Sequence, residues 1–176
     1  MTHQRLKSVV VEGFTSIRSA EIRLRSLNVL VGAIGAGKSN FIRALSMLGR
    51  IVDGDLALFV GLSGGADALM SAGSPAPELI RLRVESDAGE YQADLVPALR
   101  DTLIFSDETI YVRDTNVATS LGHGHRESAL TASEPPWVPA AAPLVETLRG
   151  CRVFHFHDTS RSARSRSRGT SPITGR

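Results

Sequence analysis

Gly32, Ala33, Ile34, Gly35, Ala36, Gly37, Lys38 and Ser39 satisfy the pattern G-x-x-x-x-G-K-[ST] at every fixed position. The pattern is that of a phosphate-binding P-loop, or Walker A loop, and each fixed residue has a physical task in it. Glycines let the backbone curl so that successive N–H groups point at one anion. Lys38 would reach the β- and γ-phosphates of a nucleotide as a point charge, and the Ser39 hydroxyl would take a Mg²⁺ position. Asn40 extends the cradle into a helix whose positive end lies beneath the phosphates. The chain holds only two lysines against 18 arginines, and one of those lysines is here.

Other residues could do chemistry, but each has a plainer reading. Leu62-Ser63-Gly64-Gly65-Ala66 resembles an ABC-type signature, yet it follows Ser39 too closely and reads as a flexible glycine loop. Asp107-Glu108 is a paired carboxylate of catalytic type, and it reads more simply as a solvated turn. His155 and His157 share one face of a strand pattern and with His123 or His125 could ligate a metal. Asp158 ends that run as a Walker B carboxylate would, but no glutamate follows it, so a structural strand is the plainer account.

The elements that must position the P-loop follow from patterning. Leu27–Val31 is a short apolar run that reads as a buried strand ending at Gly32. Beyond the loop, Phe41, Leu45, Leu48 and Val52 recur at helical spacing, with Asp53-Gly54 as the stop. Upstream, Leu6–Phe14 and Ile17–Arg25 read as a strand hairpin, the second strand alternating Ile22 and Leu24 with Arg23 and Arg25. Residues 53–78 are rich in Gly, Ala, Ser and Pro and read as irregular. Leu79–Val84, Glu90–Val96 and Leu103–Arg113 continue an antiparallel pattern, turned at Asp87-Ala88-Gly89 and interrupted at Asp107-Glu108. Residues 114–143 read as loop, Leu144–Leu148 as a short helix and Arg152–Phe156 as a last strand.

With 176 residues, 42% of them hydrophobic, the chain can build one proper core. Five arginines and no acid follow Asp158, leaving 15 basic against 18 acidic residues in the body. The division expected is a nucleotide-binding lobe over residues 1–158 and a disordered Arg/Ser-rich tail over 159–176. Cys151 is the only cysteine, no secretory leader is evident and no apolar run reaches membrane length, so a cytoplasmic protein without a membrane partner is expected.

Leu6 through Leu48 resembles the N-terminus of SMC/RecF-like ATPases, most closely bacterial AAA-type ATPases of that architecture. The likeness lies in Gly13-Phe14 with Ser16-Ile17, in Leu27-Asn28-Val29-Leu30-Val31-Gly32, and in Gly37-Lys38-Ser39-Asn40-Phe41. Gly64-Gly65-Ala66-Asp67, Gly124-His125-Arg126-Glu127-Ser128 and Phe154 to Ser160 extend it to about residue 160. The resemblance implies an α/β fold: a P-loop NTPase N-terminal lobe with a flanking antiparallel β-sheet. It also implies ATP and Mg²⁺ held at residues 32–40, hydrolysis assisted by Lys38, and head-to-head dimers acting on DNA. The sequence departs from that family where Ile34 replaces an expected Asn, and in having no Walker B strand or signature helix. Three functions follow: an ATPase completed by a second lobe or partner, a truncated or regulatory nucleotide-binding module, and a nucleic-acid binder acting through its tail. No guanine-reading Asn-Lys-x-Asp pattern occurs, and the preference for ATP over GTP rests on the resemblance.

Overall fold

The computed structural model describes residues 5–71, 79–131 and 138–153. The proposed tail, His155, His157, Asp158 and most of the Arg152–Phe156 strand lie outside them; Arg152 and Val153 are not in a strand. The elements are β1 (Leu6–Phe14), β2 (Ile17–Arg23), α1 (Lys38–Asp53), α2 (Leu56–Leu62), β3 (Ile80–Ser86), β4 (Gly89–Ala98), β5 (Thr102–Val112), β6 (Val117–Gly122), a 3₁₀ turn (Ala129–Thr131) and α3 (Val138–Arg149). The six strands form one antiparallel sheet in the order β2-β1-β3-β4-β5-β6, with the helices packed against it. The architecture is therefore mixed α and β, as expected, with every strand pairing antiparallel.

Alternation decides which sheet face is covered. On β3, Ile80, Leu82 and Val84 are buried, whereas Arg81, Arg83 and Glu85 point to the other face. There Arg81 bridges Glu12 on β1 at 3.2 Å and Asp94 on β4 at 2.7 Å. The hydrogen bond to Asp94, followed by the two carboxylate charges, holds the Arg81 guanidinium above its ordinary pKa despite partial desolvation. On the covered face, α1 buries Phe41, Ala44, Met47, Leu48, Ile51 and Val52. The expected stripe is thus present, shifted so that Leu45 is only half-buried. Gly54 ends α1 in the left-handed conformation, as its sequence position implied.

Two irregular regions are more ordered than their composition suggested. Within 53–78, α2 forms and is capped from a distance: the Glu127 carboxylate accepts the Leu56 and Ala57 amides at 2.8 and 2.9 Å. Within 114–143, β6 and the start of α3 form, so α3 is twelve residues long rather than five.

The largest correction on the sheet concerns Asp107-Glu108. The pairing slips between Asp94↔Asp107 and Leu95↔Phe105, leaving Ser106 as an extra residue in β5. This β-bulge reverses the parity of the strand. Leu103 and Phe105 are buried before it, and Glu108, Ile110 and Val112 after it. Glu108 therefore enters the core instead of a solvated turn. Its Oε1 accepts the Tyr91 hydroxyl at 2.7 Å and the Ser128 hydroxyl; its Oε2 accepts the Ala129 amide at 2.9 Å and meets His125 Nε2 at 2.8 Å. Four donors from three segments saturate one carboxylate, which is how a buried charge is tolerated. The result is a strap that fixes residues 125–129 to the sheet.

Glu108→Gln should lower the unfolding free energy by about 2–3 kcal/mol, because an amide must face donors. Asp107→Asn, a change at a half-exposed side chain, should stay within about 0.5 kcal/mol. Urea denaturation of both variants checks this, and equal effects would contradict the strap.

Tyr91 is fully buried, and burial first, then the Glu108 charge, raise its pKa well above 10.0. The folded state therefore keeps a proton that the unfolded state releases, and stability falls as pH rises above the ordinary tyrosine value. Tyr91→Phe should make that alkaline slope shallower, leaving the part that the Cys151 thiol contributes, while lowering stability at neutral pH, as unfolding curves from pH 8 to 11 would show.

Candidate phosphate-binding site

The loop from Gly32 to Gly37 is exposed along most of its length. Its turn is closed by the Ala36 amide donating to the Ala33 carbonyl at 3.2 Å. Gly37, at φ 83°, occupies the N-cap of α1 in the left-handed conformation, which a side chain would strain. A Cβ at Gly32 would lie 3.4 Å from the Ala36 side chain and 3.9 Å from Lys38 Nζ, ordinary van der Waals contacts.

Helix geometry then does the electrostatic work. The first intrahelical bond runs from the Phe41 amide to the Gly37 carbonyl at 2.9 Å, so the amides of Lys38, Ser39 and Asn40 precede the ladder. No side chain caps this end and no acid lies in the first turn. The positive end of the helix is thus left unneutralised by its own residues. Lys38 arches back over the loop, its Nζ donating to the carbonyls of Gly32 and Ala33, both at 2.7 Å. Ammonium, first-turn amides and the Ser39 hydroxyl therefore belong to one short stretch of backbone.

One contact that patterning did not reveal anchors this end. Asn40 Nδ2 donates to Ser16 Oγ at 2.7 Å, tying the first turn of α1 to the tip of the β1–β2 hairpin. That tip is itself held, because the Thr15 amide donates to the Leu69 carbonyl at 2.7 Å and the Ser71 amide to the Gly13 carbonyl at 2.9 Å. Ser16-Ile17 stood out in the sequence only through resemblance; the sequence alone gave no signal for the pair.

The approach to the loop differs from expectation. Leu27–Val31 is not a strand, and its side chains are largely uncovered: Leu27 is 81%, Val29 75% and Val31 88% exposed. A run apolar on both faces needs cover on both faces. The six-stranded sheet supplies none, since β2 at its edge pairs only with β1. Ile34, where a family resemblance expects Asn, is also fully exposed at the loop tip.

The remaining candidates resolve into structure. Leu62–Ala66 ends α2 rather than opening a helix, and the glycine stretch is fixed: a Cβ on Gly65 would fall 1.6 Å from the Asp101 carboxylate. The Asp101 carbonyl and carboxylate accept the Ala66 and Asp67 amides, each at 3.0 Å. His125 is committed to Glu108 and stacks on Phe105 with centroids 4.6 Å apart, while His123 is exposed. Among the described residues no group of three His, Cys, Asp or Glu could hold a metal ion. Cys151 is half-buried, and burial pushes its thiol up to about 11. No helix among the described residues is long and apolar enough to cross a membrane.

No protein-family model matches the sequence, and no curated protein does. Among solved structures, a chain from work on "ATP-driven dimerization and DNA stimulated activation of SMC ATPases" is similar at 19% identity. The match covers 78% of this chain and 79% of that one with a TM-score of 0.36, a superposition too loose to assign this chain to a family.

Proposed function

We propose that this chain binds Mg²⁺·ATP at residues 32–40, in the manner of the SMC/RecF-like ATPases its N-terminal motifs resemble. The observation that carries the reading is the uncapped, acid-free first turn of α1 with the Lys38 ammonium folded over Gly32 and Ala33. Such an end favours an anion on electrostatic grounds. Phosphate oxygens would replace the two loop carbonyls as acceptors of the Lys38 protons. The first-turn amides would supply further donors. Ser39, exposed at that turn, would offer its hydroxyl to Mg²⁺, which neutralises charge on the phosphates.

Hydrolysis needs more than this cradle, because a carboxylate must help hold the metal and a group must orient water. Among the described residues no carboxylate is bonded to Lys38, Ser39 or Asn40. The uncovered Leu27–Val31 run supports a further lobe or partner chain that covers it and supplies those groups. The chain by itself is then a nucleotide binder with little or no turnover, working in the cytoplasm, and a second copy is one form the partner could take.

Calorimetric titration of Mg²⁺·ATP into the chain and into Lys38→Ala tests the reading. Saturable one-site binding should weaken tenfold or more in the variant, about 1.4 kcal/mol or greater. Equal binding by both chains, or none by either, would overturn it.

A further inference from the structure

The end of the β1–β2 hairpin away from Ser16 carries a separate cleft of about 760 Å³, in the size range of small-ligand sites. Strand β1 spans Leu6–Phe14, so the cleft lies at the opposite end of the hairpin from Ser16, and Asn28 in its lining is four residues, at most about 14 Å of chain, before Gly32. Arg5, Lys7, Arg25, Ser26, Asn28 and Asp87 line it, and Leu6 and Leu24 complete its wall.

Its charges do not cancel. Among the described residues Asp87 is the single acid of the lining, and it is already engaged: Oδ1 meets Lys7 Nζ at 3.0 Å and Oδ2 accepts the Arg5 amide at 3.1 Å. Lys7 first, then the Arg5 amide, hold the Asp87 carboxyl below its ordinary value. That pairing accounts for one cation and leaves two guanidinium groups. Arg5 spends one donor on Ser26 Oγ at 3.4 Å. Arg25 has its backbone locked by Asn28, whose side chain accepts the Arg25 amide at 3.0 Å and donates to the Arg25 carbonyl at 2.8 Å. Among the described residues neither guanidinium is in an ion pair with a carboxylate, unlike that of Arg81 on the sheet face.

Two arginines line one cleft, and a guanidinium fork is the group that binds a phosphate bidentately, so the pair suits vicinal phosphate groups. Among the described residues no aromatic side chain lines the cleft, so they offer no platform on which a base could stack. We propose that this cleft is a second anion site, distinct from the P-loop, that takes the diphosphate or triphosphate group of a small molecule between Arg5 and Arg25. The shared ligand chemistry is the oligophosphate group, whether inorganic or carried by a nucleotide.

The test uses the full chain carrying Lys38→Ala, with inorganic pyrophosphate, ADP and a ten-residue oligothymidylate titrated separately by calorimetry. Pyrophosphate should bind saturably, and Arg5→Ala/Arg25→Ala on the same background should weaken it at least tenfold. Arg25→Lys should also weaken it, because an ammonium lacks the fork. ADP matching pyrophosphate assigns recognition to the phosphates alone, and tighter ADP binding assigns a nucleotide as the source. Absence of pyrophosphate binding to the Lys38→Ala chain overturns the site without requiring the arginine variants to fold. Binding indifferent to both arginines, or oligothymidylate binding in place of pyrophosphate, overturns it as well. The P-loop reading stands or falls separately, on Mg²⁺·ATP and the native Lys38.

Discussion

A helix whose apolar stripe is buried on a sheet has little freedom over where its first turn opens, and α1 is placed by that constraint. Phe41, Met47, Leu48, Ile51 and Val52 are buried against the core, and each large side chain so covered contributes about 1.5–3 kcal/mol. An N-terminal cap is worth about 1 kcal/mol. Packing therefore outweighs capping, and α1 can keep an end with no capping side chain and no acid. Asn40 and Ser16 then set that end against the hairpin. The fold holds open a set of donors that an ordinary surface helix would close.

The same chain shows the cost of incomplete cover. Leu27–Val31 has the composition of a central strand but pairs with no strand among the described residues, and Leu27, Val29 and Val31 stay largely exposed. Its backbone leads directly into Gly32, so whatever covers it also steadies the loop. On the proposed reading, binding and turnover make different demands on the protein. The first-turn donors and Lys38 belong to one loop and one helix turn, whereas no carboxylate among the described residues is bonded to Lys38, Ser39 or Asn40.

Local signals were legible where physics is local. Alternation placed β1 through β5 within a residue or two, and the helical stripe with Gly54 delimited α1. Patterning failed where a residue's surroundings come from distant segments. An apolar run such as Leu27–Val31 states what it needs but not whether a neighbour exists. Asp107-Glu108 looked solvated because nothing nearby reveals the bulge at Ser106 that turns Glu108 inward, or its donors Tyr91, His125 and Ser128. Residues 53–62 hid α2 because its cap, Glu127, lies 71 positions beyond Leu56. The junction at which Gly37 precedes the first turn of α1 was legible from the glycine spacing; the Asn40–Ser16 contact was not.

Amide hydrogen exchange of the intact chain, with and without saturating Mg²⁺·ATP, addresses the central claim most directly. Donors left free by the first turn of α1 should become protected when phosphate takes them. The account predicts slowed exchange confined chiefly to residues 35–41, with the β3–β5 sheet unchanged. Exchange at residues 35–41 that is indifferent to nucleotide, under conditions where the rest of the chain is folded, would contradict it.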